Sequence, residues 1–420
     1  MILTMIKTMV ATNMLTENQL KKVNALQSRA IVVGAVGCII ALFGGYAVGG
    51  GMDGLEKVFQ PFLIAFILCF GLGVCGLAVV MLHHLCGGAW SYTIQRIAEA
   101  SSRTLPFFAI AGAVIVLGGF YVGNIYSWAD PENLSNLPHI VGIKHHDGFL
   151  TQKAFLGTFI GCFAIWLVLM QLFNSWSKNL DETGNLNNIG KMKFWAGPGL
   201  ILYVATMTLA ATYWCMSLEP EWFSTIYGAW LMGGYALTFV AFAVLVLSWL
   251  ADEGPLAEKV SIRTYHHLGN FMLGFVVFWS YISFSQFLLI WNANLPEEVG
   301  FYLHRQGHGL NLLTVGLMLF HFGLPMFMLL IRRNKTEIHK LRLIAYYVLA
   351  VRVLDIYWNL VPAWEGNRST INPATFVLVI AASLGLGGVW LWVFLAELKK
   401  RPILPVNDPR GELLFVKDAH

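Results

Sequence analysis

The chain has 420 residues, 57% of them apolar and only 12% charged, with a mean hydropathy of +0.64. A soluble domain carries roughly 25% charged residues, so a water-soluble globular protein is excluded. The net charge of +4 offers no basic face for nucleic acid.

Residues 1–28 lack the compact apolar stretch and small-residue cleavage site of a secretory signal. The segment TENQLKKVNALQSRA reads instead as an amphipathic entry helix, with Leu20, Val23 and Leu26 on one face. Ten apolar runs follow within residues 29–396, at roughly 29–49, 57–82, 105–124, 154–174, 194–216, 223–250, 268–291, 309–331, 341–362 and 374–396. A bilayer needs about 20 residues of helix. Backbone groups in hydrocarbon must be satisfied within the segment, so runs of this length are helices. The short alternating segments of a membrane barrel are absent. The class is an all-α integral membrane protein with ten transmembrane helices. Between the second and third runs, GGAWSYTIQRIAEASSRTLP carries Trp90, Ile94 and Ile97 on one face and Arg96, Glu99 and Arg103 on another. It is expected to lie flat on the membrane surface. Residues 397–420 form a polar, proline-containing tail, an arm laid on a partner or on the chain itself.

Twenty-one of the 27 Lys and Arg residues fall at the two ends of the chain and in the even-numbered loops. Lys57, Lys144, Lys153, Arg305 and Arg368 fall in the odd-numbered loops, and Arg352 lies inside the ninth helix. Lys/Arg excess marks the cytoplasmic side, so both termini of this multi-pass protein are expected in the cytoplasm. The stretch TYWCMSLEPEWFSTIYGAW (212–230) then turns outward between the fifth and sixth helices. Trp214, Trp222, Tyr227 and Trp230 form its expected aromatic belt. The loop NANLPEEVGFYLHRQGHG (292–309) faces the same way.

Chemistry-bearing motifs are few. The six cysteines (Cys38, Cys69, Cys75, Cys86, Cys162, Cys215) lie in or beside apolar runs without CxxC or CxxCH spacing, so they read as small buried hydrophobes. Phosphate-cradling loops, HExxH and GxSxG are absent, and no metal site is expected. Ionisable groups at membrane depth cost about 2.5–3.5 kcal/mol each at a helix centre and point to function. Asp355 is the clearest; Arg352 and Asn359 share its face. It is either an intrahelical pair with Arg352 or a handler of protons or quinone. His321 lies in LMLFHFGLPMF, one turn before Pro325. It either takes up the carbonyl that the proline frees or serves a proton path. His83 and His84 close the second helix and His266 and His267 open the seventh, as a proton entrance or as interface residues. Arg96 and Glu99 suggest a structural pair. His145 and His146, in IKHHDG, read as solvated loop residues.

Three stretches carry a family resemblance: MSLEPEWFSTIYG, FWSYISFSQFLLIWNANLPEE (278–298), and LDIYWNLVP (354–362) with the tail PILPVNDPRGE. HHLCGGAWSYTIQRIAEA fits as well. Together they resemble the NrfD/polysulfide-reductase-type membrane subunits, most closely the second such subunit (ActF) of bacterial alternative complex III, from about residue 57 to the tail. The resemblance implies two four-helix bundles, helices 2–5 and 6–9, flanked by helices 1 and 10. It implies partners: a paralogous NrfD-like membrane subunit, an iron–sulfur subunit and haem c subunits. It implies a role in quinol oxidation, with proton translocation as a further expectation. Asp355, Tyr357 and Trp358 match family positions. Two acids of the family pattern are missing: Tyr213 stands before Trp214, and His266-His267-Leu268-Gly269 replaces His-Asp-Leu-Gly. A proton path there would use Tyr213 and the histidines. Glu219, Glu221 and Trp222 are expected to dock a peripheral subunit, with a quinone site as the alternative.

The expected function is that of a membrane subunit without a redox centre of its own in a quinol:electron-acceptor oxidoreductase. The chain alone should bind no cofactor, with quinone or menaquinone and lipid as the molecules allowed for. The rival is a secondary transporter of a small solute or ion, for which GLGVCG (71–76) and LGLGGVW (384–390) offer glycine-rich interruptions. A b-type cytochrome is a third reading, in which His321 would need a second mid-span histidine.

Overall fold

The computed structural model describes residues 14–129, 141–142, 144, 147–257, 260–307, 309–365 and 371–414. His145, His146, Arg368 and the last six residues of the tail lie outside the described residues. Ten helices are long and apolar enough to cross a membrane: α1 (Glu17–Val48), α2 (Glu56–Cys86), α3 (Ala89–Tyr121), α4 (Gln152–Thr183), α5 (Asn187–Leu218), α6 (Tyr227–Leu250), α7 (Ile262–Ala293), α8 (Leu310–Leu330), α9 (Ile338–Trp364) and α10 (Pro373–Leu398). At about 1.5 Å per residue even the shortest covers a hydrocarbon core of about 30 Å. The chain is an all-α, multi-pass integral membrane protein.

Helices α2–α5 pack into one bundle and α6–α9 into a second. The bundles meet where α2 and α5 touch α6 and where α9 touches α2. α2 and α6 are the central helices, each buried over 83% of its most apolar stretch. α1 and α10 pair with each other and lie against α2. Their pairing rests on small residues that let backbones approach: a Cβ on Gly37 would stand 2.6 Å from the Gly385 nitrogen. Gly71 likewise admits the Tyr235 ring, and Gly76 admits Ser101. Both glycine-rich stretches thus serve helix packing.

α1 starts at Glu17 under a capping box made by Thr16 and Gln19 and runs without a break to Val48. Of the expected entry face only Val23 is buried; Leu20 and Leu26 are exposed. The contact face is instead Gln19, Val23, Ala30 and Gly34, a helical stripe offset from the predicted one. Gln19 Nε2 donates to the carbonyls of Leu250 (2.9 Å) and Glu253 (2.7 Å), tying the start of α1 to the end of α6.

The segment expected to lie flat on the surface does not. Ala89–Ser102 is the first part of α3 and is buried from Ser91 to Ser102. Its polar face meets charge rather than water. Arg96 bridges Glu99 (2.5 Å) and Asp181 of α4 (2.6 Å), and Ser177 donates to Glu99 (2.7 Å). α3 resumes at Leu105 and passes through a π-helical turn at Ala113–Leu117. The expected aromatic belt is also core: Trp214, Trp222, Tyr227 and Trp230 are all buried. Trp214 sits among Phe66, Phe70, Phe159, Phe163 and Trp166. Of the cysteines, Cys69, Cys75, Cys162 and Cys215 are buried, Cys38 half-buried and Cys86 exposed.

Candidate functional site

The i,i+3 spacing on α9 brings Arg352 and Asp355 together. Arg352 Nη1 forms an ion pair with Asp355 Oδ2, both side chains being 2% exposed. The third member comes from another helix. His321 Nε2 stands 3.7 Å from the same carboxylate oxygen. α8 reaches it through a π-helical turn, Leu317–Gly323, a feature frequent at functional sites. The His321 ring lies 4.2 Å from that of Trp279 on α7. Neither His321 nitrogen hydrogen-bonds another side chain among the described residues. Gly234 on α6 leaves the room: a Cβ there would overlap three atoms of the Arg352 guanidinium. Asn359 shares the α9 face and accepts from Tyr227 Oη at 2.6 Å.

This charged node borders a cavity of about 600 Å³ within the second bundle. Ligand sites for drug-sized molecules run from about 300 to 1,000 Å³. Asp355 and Trp358 line it from α9, Trp230 from α6, and Trp279, Ser283 and Gln286 from α7. Lining residues Phe284 on α7 and Val315 and Met318 on α8 are exposed. The cavity therefore opens between α7 and α8 on the apolar outer surface of the bundle, where lipid would be. Several polar atoms at its wall are buried and unpartnered among the described residues: Trp230 Nε1, Trp279 Nε1, Gln286 Nε2 and Asp355 Oδ1. Three donors and one acceptor thus border one chamber. Buried polar groups are nearly always paired, so this wall fits a ligand or water carrying oxygens.

The loop end of the cavity is closed by Arg305, a residue that the sequence presents only as one loop charge among several. It is 2% exposed. Its guanidinium donates to the carbonyls of Phe301 (2.5 Å), Trp358 (3.2 Å) and Asn359 (2.6 Å) and to Glu219 Oε1 (2.7 Å). It stacks 3.4 Å over the Phe301 ring, whose other close neighbour is Trp222 at 4.0 Å. Burial pushes the Glu219 carboxyl up, but Arg305 and the hydrogen bond from His304 outweigh it and hold it below its ordinary value. Glu219 and Trp222 therefore face their own chain and join the α5–α6 and α7–α8 connections. Glu221 is the exposed member of the expected docking turn. Lys144 donates to the Pro220 carbonyl at 2.8 Å.

The other candidates lie apart from this node. Tyr213 Oη donates to the Phe149 carbonyl at 2.7 Å, an assigned partner that fixes a loop. His83 and His84 are buried at the end of α2, with His83 Nδ1 2.7 Å from Ser91 Oγ. His266 is half-buried and His267 exposed at the start of α7. The structure brings together Asp355, Arg352 and His321 and leaves both histidine pairs at the opposite, terminus-bearing end. No protein-family model matches the chain, and no curated protein matches it.

Proposed function

We propose that this protein is an integral membrane subunit of a quinol:electron-acceptor oxidoreductase of the alternative complex III type, without a redox centre of its own. The observation that carries the proposal is the lipid-open cavity ending on Asp355. A quinol is confined to the bilayer, so its site needs an opening in the apolar surface, flat aromatic walls and polar groups at the far end. The cavity has all of these. Oxidation of a quinol releases two protons and two electrons. On this reading the Asp355–His321 pair accepts or relays the protons, and electrons leave to iron–sulfur and haem c subunits beside the chain. Arg352 holds Asp355 in place, while Trp230, Trp279 and Gln286 orient the head group. The Lys/Arg distribution supports cytoplasmic termini in a bacterial inner membrane.

The test is purification in mild detergent, with mass spectrometry of co-purifying chains and an azido-quinone photolabel. The reading expects redox subunits in the preparation and label on α7, α8 or α9. A free chain that takes no quinone label overturns it. One observation favours a second reading, a secondary transporter. α8 is interrupted by its π turn beside the cavity and α3 carries another at Ala113–Leu117, and broken helices near the midplane mark transporter sites. Solute flux in vesicles holding the chain alone would support that reading.

A further inference from the structure

After α10 the chain turns back over the terminus-bearing end of the first bundle. Ile403 and Leu404 are buried. Arg401 Nη2 donates to the Asn174 carbonyl at 2.9 Å, and Nη1 stands 3.4 Å from Glu99 Oε2. The Pro405 carbonyl accepts from Tyr92 Oη at 2.9 Å. The Val406 amide donates to Asp181 Oδ1 at 3.2 Å. Asn407 Nδ2 donates to the carbonyls of Leu180 (3.2 Å) and Asp181 (3.0 Å). Arg410, gripped by Asp408, places Nη2 3.2 Å from His84 Nδ1. Each of these contacts joins the tail to the ends of α2, α3 or α4, or braces it for doing so.

The region beneath is polar and incompletely paired. The His83 and His84 rings lie 4.9 Å apart. His83 Nε2, His84 Nε2, Gln95 Oε1 and Arg96 Nε are buried with no hydrogen-bond partner among the described residues. Groups of this kind are ordinarily satisfied by buried water. Asp181 joins the two layers: its carboxylate binds Arg96 inside and the Val406 amide outside. The covering segment is irregular backbone from 401 to 408, with prolines at 402 and 405, and Arg410 lies in a short 3-10 turn, Pro409–Leu414, so no α-helix need unwind for it to leave.

We propose that residues 401–411 form a strap that covers this polar cluster at the terminus-bearing end of the first bundle, and that lifting it admits water to His83 and His84. The contact between Arg410 and His84 is the latch, and Asp181 senses it through the shared carboxylate. The proposal does not depend on the ligand of the second bundle, since no strap contact touches that cavity.

The test is carbethoxylation of histidines by diethyl pyrocarbonate, read by mass spectrometry on the detergent-purified full-length chain. Exposed His267, at the same end of the molecule, is the internal standard. In the wild type His83 and His84 should stay near background while His267 reacts. In the double variant Asn407→Ala/Arg410→Ala, and in a chain ending after Lys400, both should rise towards the level of His267. Helix content by circular dichroism and the reactivity of buried His321 report whether a variant is still folded. The strap is refuted if His83 and His84 already react as fast as His267 in the wild type. It is equally refuted if they stay at background in either folded variant.

Discussion

Replacing glycine by alanine inside a helix ordinarily stabilises it by about 1 kcal/mol, and Gly234 should do the reverse. An added Cβ there would collide with the Arg352 guanidinium. The neighbour is not a flexible tip with somewhere to go: it is 2% exposed and paired with Asp355. Displacing it leaves a buried carboxylate and a buried guanidinium apart, and breaking a buried pair costs about 3–5 kcal/mol. Subtracting the propensity gain, Gly234→Ala should destabilise by about 2–4 kcal/mol. In an Arg352→Met/Asp355→Leu background the obstacle and the charges are both gone. The same substitution should then stabilise by about 1 kcal/mol. The assay is chaotrope unfolding in detergent micelles, followed by tryptophan fluorescence, as a double-mutant cycle. The sign of the alanine effect should invert between backgrounds. A coupling energy below about 0.5 kcal/mol, the ordinary error of additivity, would refute the steric account of this node.

Asp355→Asn should leave the protein assembled but lower quinol turnover or proton yield per electron in reconstituted vesicles; unchanged values would return Asp355 to a packing role. Glu219→Gln should cost about 3 kcal/mol, because Arg305 keeps its carbonyl acceptors but loses its buried counter-charge. Since the folded Glu219 carboxyl is held below its ordinary value, its stabilising contribution is full above the usual carboxylate range and disappears as pH falls through the folded value. The melting-temperature gap between wild type and Glu219→Gln should therefore narrow on acidification, and a constant gap would contradict the assignment. Reporter fusions after Lys335 and at the C-terminus should report cytoplasm, and fusions at Pro220 and Gly307 the outer side; a cytoplasmic result at Pro220 would remove a helix from the count of spans.

Spans were legible because hydrocarbon imposes a length and a composition that nothing else imitates. Arg352 and Asp355 were legible because three residues on a helix is a fixed distance. His321 could be singled out as a polar residue at depth, but its meeting with Asp355 depends on how α8 packs on α9, which local pattern does not encode. The start of α3 shows a different limit. An amphipathic stripe says that one face prefers polarity; it does not say whether water or another helix supplies it. Here Asp181 and Ser177 of α4 take the place of solvent, and the helix is buried. The same limit hid Arg305, whose sequence context matches that of any loop arginine while its three guanidinium nitrogens donate to backbone carbonyls and Glu219.

Three of the buried charge groups among the described residues differ in how far they are satisfied, and that difference separates scaffold from site. At the loop end, every nitrogen of Arg305 has an acceptor, so the group is closed and rigid. At the terminus-bearing end, Arg96 is held through both terminal nitrogens by Glu99, Asp181 and Ser177, and its Nε has no hydrogen-bond partner among the described residues. The middle group is the least complete: Asp355 Oδ1 and Arg352 Nε have no hydrogen-bond partner among the described residues. A buried polar network is stabilising when complete and costly when partly made. A scaffold has no reason to keep the incomplete one. A site whose ligand or transferred proton completes it does, and the cavity that would admit such a ligand ends on that same carboxylate.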